Sequence, residues 1–389
     1  MTKVSWILAD ADQNLLEGDL SLTSTELGAK GGNLRVRSFL LRGGLRDGVH
    51  VVEIDNGALR FHVLPTRGMG VWKAWLGKLE LGWRSPVRGP VHPQFVPLAE
   101  PSGLGWLDGF DELICRCGLE SNGAPEFDEQ GKLRYPLHGR IANRPAHHVS
   151  LSVDSDSKRI SLTGVVDETR FHFQKLRLTS TIETMHGEHG FRIVDEVTNL
   201  SGNPAEMQLL YHCNFGQPLL EPGARIVTAA AAIAPRDAGA AEAIDAWAVL
   251  ADERPGSGEQ VYFLDLAADA EGRAHVLLKN ARGVEGVSLH FPKRQLPHFI
   301  VWKNTPAGVD GYVTGLEPAT NLPNPRSFEA KQGRVVKLAP GARARFELEL
   351  KVHVDRGAVA VVEQEIDHLS TAGKTTVHRL PQKGWSPGA

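Results

Sequence analysis

The sequence predicts an all-β protein, a large antiparallel β-sandwich with few short helices, and three observations carry that expectation. Apolar and polar residues alternate with period two over long stretches, as they do in half-buried strands. An Asn56-Gly57 pair separates two such stretches in the manner of a tight hairpin. Many short strand-like runs are punctuated by a chain total of 41 Gly and 23 Pro, and few stretches have the period of an amphipathic helix.

Taken in order, residues 15–29 read as a short helix ahead of a Gly31-Gly32 break. VHVVEI and ALRFHVL follow as the paired strands, with Asn-Gly supplying the positive φ angles of the turn. RISLTGVV is a strand, and a strand cluster runs from about Phe171 to Phe215. In it Leu176, Leu178, Ser180 and Ile182 alternate with polar neighbours, a turn spans His186 to Gly190, and a strand covers Phe191–Val197. AEMQLLYHCNF is the next apolar strand. AGAAEAIDAWAVLADE is Ala-rich and reads as either a helix or a surface insertion. QVYFLDL, AHVLLKN, GVSLHF, HFIVWKN and GYVTGLEP continue the strand series. In RARFELELKVHVD, Phe346, Leu348, Leu350, Val352 and Val354 face one way, against Arg345, Glu347, Glu349, Lys351 and His353. The last twenty residues are polar, rich in Pro and Gly, and expected to be loosely ordered. No repeat and no linker breaks the series, so the expectation is one domain over 1–389, with a core of about 35–355.

Composition narrows the function. A net charge of -3 with 41% hydrophobic residues is ordinary for a globular protein. No basic stripe or charged tail points to nucleic acid or an anionic membrane. MTKVSWILAD lacks the apolar core of a signal peptide, and no apolar stretch is long enough to span a bilayer. Three cysteines do not make a disulfide framework, so a cytoplasmic location is expected. A homodimer is left open.

Several patterns fail as sites. Cys115-Arg-Cys117 has no second pair or nearby His to complete a zinc centre, and His186-Gly-Glu188-His189 falls in a turn. No metal and no cofactor is expected. The Gly-rich pieces LRGGLRDG and TRGMGVW lack the strand–loop–helix setting of a phosphate loop. Cys213 and His212 are adjacent on a strand, which sends their side chains to opposite faces and rules against a Cys–His nucleophile.

Four segments place His, Arg or Glu at strand ends: LPTRGMG with Arg67, YPLHGR with His138 and Arg140, LYHCNFG with His212 and Asn214, and GYVTGLEPATN with Glu317. A carboxylate in an apolar strand is costly unless it is paired or functional, which singles out Glu317. Lys303 and Asn304, at another strand end, are weaker candidates for polar contacts, and Trp72, Trp75, Trp83, Trp106 and Trp302 are candidate aromatic platforms.

With LPTRGMGVWKAWLGKLELGW, HPQFV and GWLDGFDELICRCGLESNGAPE, followed by LHGRIANRPA, YHCNFGQPLLEPGARI, VWKN, GYVTGLEPATN and LAPGARARFELELKV, the chain resembles the aldose 1-epimerase (galactose mutarotase-like) superfamily, in its DUF4432 branch. These segments span roughly residues 55–352 in order. The resemblance implies a supersandwich fold and a small-molecule sugar as substrate. It also implies that His212 is the general acid, Glu317 the general base, and His138 a contact near the ring oxygen. Arg67 and Arg140 match hydroxyl-binding arginines more loosely. Here Thr-Arg-Gly-Met and His-Cys-Asn-Phe-Gly stand where the familiar galactose mutarotases carry Asn-Arg and a His-Ser/Ala-Tyr-Phe-Asn stretch, so the choice of sugar is left open. Anomer exchange needs a base for the anomeric hydroxyl and an acid for the ring oxygen, each within hydrogen-bond reach. An ionised Glu beside a protonated His is the expected resting state. Two alternatives stand beside this reading. One is a sugar-binding protein without catalysis. The other is an isomerase or lyase whose arginines, Arg67, Arg84, Arg88, Arg140 and Arg144 among them, hold an acidic or phosphorylated sugar.

Overall fold

The computed structural model describes residues 3–29, 32–370 and 374–389. Among the described residues the strands assemble into a 14-stranded sheet, a 10-stranded sheet and a 2-stranded ribbon. In the 10-stranded sheet, Arg159–Thr169, Lys175–Met185, Gly190–Asn199 and Arg343–His353 lie side by side and antiparallel. Their alternation follows the period of the pleat: Leu176, Leu178, Ser180 and Ile182 point inward, as do Phe346, Leu348, Leu350 and Val352. Val354 departs from the expected pattern and is exposed, because the strand ends at His353 and the chain turns into a helix.

The 14-stranded sheet carries, in spatial order, Gln260–Leu266, His298–Asn304, Val313–Ala319, Ala205–Phe215, Ile114–Leu119, Gly70–Leu76, Leu59–Leu64 and His50–Asp55 among its strands. The main apolar core is shared by the two sheets, with Leu162, Leu178, Ile193 and Leu348 from one and Phe61, Val63, Tyr211 and Leu316 from the other. Each such side chain contributes about 1.5–3 kcal/mol by leaving water. A second apolar cluster, with Trp83, Trp106, Phe110, Leu210, Phe263 and Ile300, covers the other face of the larger sheet. Val313–Ala319 is therefore buried along its whole length, and Ala205–Phe215 along nearly all of it. This accounts for their near-continuous apolar runs.

Arg116 ties the sheets together through the core. It bonds Asp195 on the facing sheet, donates to Ser180 Oγ at 2.8 Å, and reaches the carbonyl of Met69 at 2.7 Å. Tyr211 donates its hydroxyl to the same Asp195 at 2.9 Å.

Several expectations need correction. Residues 15–29 form no helix: Leu15–Leu16 and Asp19–Thr23 are strands, and a turn follows. Asp19-Leu-Ser-Leu-Thr23 alternates with period two, and that pattern overrides the helical reading. Gly31, half of the proposed break, lies outside the described residues. At Asn56-Gly57 the hairpin forms, but only Gly57 takes a positive φ, of 92°. Asn56 is buried, and its side-chain oxygen accepts the amides of Ala58 and Leu59 at 3.0 and 2.8 Å. The Ala-rich stretch holds a helix of 5 residues, Ala238–Glu242, and then a single tighter turn. A 15-residue helix, Arg356–Ser370, escaped the sequence reading although Val359, Val362 and Ile366 repeat at helical spacing and pack on the sheet. The tail is anchored beyond it: Thr376–Val377 pairs with Ala230–Pro235, and Asn324 Nδ2 donates to the carbonyl of Trp385 at 2.9 Å.

Candidate functional site

Ala205–Phe215 lies between Ile114–Leu119 and Val313–Ala319, antiparallel to both. The register that sets Cys213 against Leu316 and Asn214 against Gly315 puts His212 directly across from Glu317. Because Tyr211, Cys213 and Leu316 face the inter-sheet core, His212 and Glu317 both rise on the opposite face. His212 Nε2 lies 3.3 Å from Glu317 Oε1, and that oxygen meets no hydrogen-bond donor among the described residues. Both residues are buried, at 4% and 2% exposure.

Burial decides their protonation. It pulls the His212 imidazole down to about 3, and His138 acts in the same direction. It pushes the Glu317 carboxyl well above the ordinary carboxylate range, with the Glu259 charge adding to the rise. Desolvation thus opposes mutual attraction, and both shifts favour the uncharged form of each group, against the charged pair expected from sequence.

Asn214 fixes which nitrogen takes part. Its amide nitrogen donates to the carbonyls of Glu112 and His212, at 3.0 and 3.2 Å. Its oxygen therefore accepts, and His212 Nδ1, at 2.5 Å, carries the proton. Nε2 is left facing Glu317. Asn214 is a support for His212 rather than a group that reaches outward.

Aromatic rings surround the pair. Phe110, Trp302, His138 and Trp106 have centroids 5.0, 5.3, 5.4 and 6.1 Å from the His212 ring. His138 sits at a positive φ of 55°, and its Nδ1 donates to the carbonyl of Asn122 at 2.9 Å. Its Nε2 is then a lone pair, and burial draws its pKa down to about 4. Trp106 Nε1 is buried without a hydrogen-bond partner among the described residues. Trp302 Nε1 donates to Glu259 at 2.8 Å, and Arg236 holds the other oxygen of that carboxylate at 2.8 Å. Gly315 is the floor: a Cβ there would stand 2.5 Å from Glu317 Oε1 and 3.2 Å from both His212 and Trp302.

His212, Glu317, His138 and Asn214 are thus brought together, and three other candidates are not. Arg67 is buried behind the site, bonded to Glu112, Asn143 Oδ1 and the carbonyls of Val91 and Gly109. It steadies the segment that carries Trp106 and, through Glu112, the partner of Asn214. Arg140 acts electrostatically on Glu168, a carboxylate that accepts the amides of Leu119 and Glu120. Lys303 neighbours Trp302 in its strand and so points to the other face, where its ammonium donates to the carbonyls of Ala246 and Val249. Asn304 holds the carbonyl of Gly311. Of the tryptophans, Trp106 and Trp302 line the site, Trp83 packs on Phe110, and Trp72 and Trp75 pack on His62. Phe110, Gly315, Glu259 and Arg236 escaped the sequence reading. Gly315 alone had a local signal, two residues before Glu317 and hence on the same face.

Residues 46–352 match the family model described as Domain of unknown function (DUF4432). The chain belongs to the DUF4432 family. This DUF4432 protein matches, over 98% of its own chain and 99% of the other, a Klebsiella pneumoniae protein provisionally described as an aldose 1-epimerase, at 33% identity and a TM-score of 0.94. More distant likenesses show the galactose mutarotase-like fold. A galactose mutarotase-like protein from Clostridium acetobutylicum is 14% identical, covers 82% of this chain and 99% of its own, and has a TM-score of 0.56. Galactose 1-epimerase from Lactobacillus acidophilus NCFM is 13% identical over 82% and 99%, with a TM-score of 0.54. No curated protein matches the chain by sequence.

Proposed function

We propose that this DUF4432 protein interconverts the α and β anomers of a free sugar, with His212 as general acid and Glu317 as general base. The observation that carries the reading is the buried cross-strand pair, 3.3 Å apart, with His212 Nδ1 held by Asn214 so that Nε2 faces Glu317. Ring opening needs one group that takes a proton from the anomeric hydroxyl and one that gives a proton to the ring oxygen. A pair holding a single proton supplies both roles. As the polar groups of a sugar replace lost hydration, the proton passes to His212 Nε2. Glu317 then takes the hydroxyl proton while His212 protonates the ring oxygen. The ring opens to the aldehyde, the C1–C2 bond rotates, and the reverse steps close it on the other face.

The walls suit such a ligand. Trp302 and Phe110 offer apolar faces, while Trp106 Nε1 and His138 Nε2 offer a donor and an acceptor. The reading in which arginines hold an anionic sugar loses support. Arg67 is spent on Glu112 and three further acceptors, Arg236 on Glu259, and Arg84 and Arg88 lie exposed outside the cluster.

Saturation-transfer NMR on a panel of free sugars tests the proposal. We expect accelerated α/β exchange for at least one sugar, and its loss in Glu317→Gln with binding retained. Exchange at the wild-type rate in that variant would remove Glu317 from the chemistry.

A further inference from the structure

Trp106 carries a polar atom that nothing in the fold accounts for. The residue is 1% exposed, and its Nε1 meets no acceptor among the described residues. A buried donor left bare is costly, so one that is held firmly in place points to a partner that arrives from outside. Trp106 is held firmly. Arg67 donates to the carbonyl of Gly109 in the same turn at 2.8 Å, and a Cβ on Gly105 would stand 2.1 Å from the carbonyl oxygen of Pro97. The indole packs on Phe110 and His138, with centroids 4.7 and 4.6 Å away.

The neighbours define the partner. His138 Nδ1 donates to the carbonyl of Asn122, and burial keeps the ring neutral near pH 7, so its Nε2 accepts. A donor and an acceptor therefore stand together, and a hydroxyl is the group that accepts from one and donates to the other. An ammonium has no lone pair for Trp106. A carboxylate or phosphate would bring a charge among aromatic rings, where Arg67 and Arg236 are already bonded to Glu112 and Glu259. A hydroxyl reaches Nε1 by shifting the half-buried His138 ring, whose one hydrogen bond among the described residues is that to Asn122.

The strands put these groups in order. Val313–Ala319, with Glu317, flanks the His212 strand on one side, and Ile114–Leu119 flanks it on the other. His138 belongs to the second side, where its carbonyl accepts the amide of Gly118 at 3.1 Å. Glu317, His212 and the His138–Trp106 pair thus succeed one another across the sheet. With the anomeric hydroxyl at Glu317 and the ring oxygen at His212, the next group along an aldohexopyranose is the hydroxymethyl on its C5 carbon.

We propose that Trp106 is a specificity-determining residue, whose Nε1 donates to the C6 hydroxyl of a neutral aldohexose while His138 Nε2 accepts from that hydroxyl. The choice of C6 rests on the anomer-exchange reading, whereas the contact of Trp106 with a hydroxyl does not.

Indole ¹H–¹⁵N spectra of the full chain test this, in wild type and in Glu317→Gln. The probes are D-glucose and D-galactose, their 6-deoxy and 2-deoxy counterparts, and the two matching uronates. Trp106→Phe identifies the Trp106 resonance among the 8 tryptophans. We expect that resonance to move downfield saturably with at least one of the two hexoses, in both proteins. The 6-deoxy counterpart should leave it in place and bind more than about tenfold more weakly. In Trp106→Phe the same two sugars should bind within about threefold of each other, because no donor is left to satisfy. Should that variant fail to fold, the wild-type affinities decide, and a 6-deoxy penalty under about threefold overturns the contact. Indole resonances that no probe moves overturn it as well, even where anomer exchange is found. A penalty that falls on the 2-deoxy sugar instead overturns the C6 position, and tighter binding of a uronate than of its hexose overturns the ligand class. A Trp106 response without anomer exchange supports the contact and removes the role proposed for Glu317.

Discussion

At the scale of single residues, the acid–base pair depends on neighbours that do no proton transfer. Burial holds His212 neutral until about pH 3 and keeps the proton on Glu317 well above the ordinary carboxylate range. We therefore expect kcat/KM for anomer exchange, followed by polarimetry, to show no acid limb at pH 6.5, where a solvated imidazole titrates. An acid limb centred there would show that His212 behaves as an exposed histidine. Asn214→Leu removes the acceptor for His212 Nδ1 and frees the tautomer. Turnover should fall by more than about tenfold, toward the 10²–10⁴ that a general acid contributes. A KM change alone would mean that Asn214 binds substrate instead. Gly315→Ala puts a Cβ 2.5 Å from Glu317 Oε1. A carboxylate displaced by about 1 Å costs about 10²-fold in rate, so exchange should drop steeply while the melting temperature moves little. Wild-type exchange in Gly315→Ala would show that Glu317 has room to spare.

At the scale of elements, the site exists because two strands pair in one register. A slip of one residue between Ala205–Phe215 and Val313–Ala319 would send His212 or Glu317 into the core. The strands themselves were legible, because Leu176 to Ile182 and Phe346 to Val352 alternate with the period of the pleat. His212 and Glu317 were legible as polar residues set in apolar strands, and His138 through its family motif. Their adjacency was not, since residues 212 and 317 belong to strands whose partners no local pattern names. The roles of Arg67, Arg140 and Lys303 were misread for the same reason. A charge at a strand end does not say which way it points, and Lys303 follows Trp302 onto the opposite face. The Arg356–Ser370 helix was missed although its apolar period was present, because the strand series before it set the expectation. Arg67 tests the supporting elements. It joins Glu112 to the Gly105–Gly109 turn, so Arg67→Met strands a buried carboxylate and should cost about 3–5 kcal/mol of stability in urea unfolding. An unchanged midpoint would mean that Glu112 finds water or a proton at no cost.

At the scale of the whole molecule, a buried polar network links the two sheets across the apolar core. Arg116 and Asp195 come from facing sheets and are fully buried, and Ser180, Tyr211 and the carbonyls of Gly68 and Met69 satisfy what the ion pair leaves open. Opposing sheets in a sandwich slide easily when only apolar side chains interdigitate, whereas a bidentate guanidinium–carboxylate pair has one geometry. The same strands that carry Arg116 and Asp195 lie beside or directly beneath the Ala205–Phe215 strand, so the network sets the frame in which His212 meets Glu317. Removing one charge should be far worse than removing both. Asp195→Asn leaves the Arg116 guanidinium buried without a counter-charge and should cost about 3–5 kcal/mol. The double variant Arg116→Met, Asp195→Leu exchanges the pair for apolar volume and should recover most of that stability. If the network also sets the frame of the site, the double variant will melt near the wild-type temperature yet exchange anomers more slowly. Recovery of both stability and exchange would reduce Arg116–Asp195 to a filler of core space.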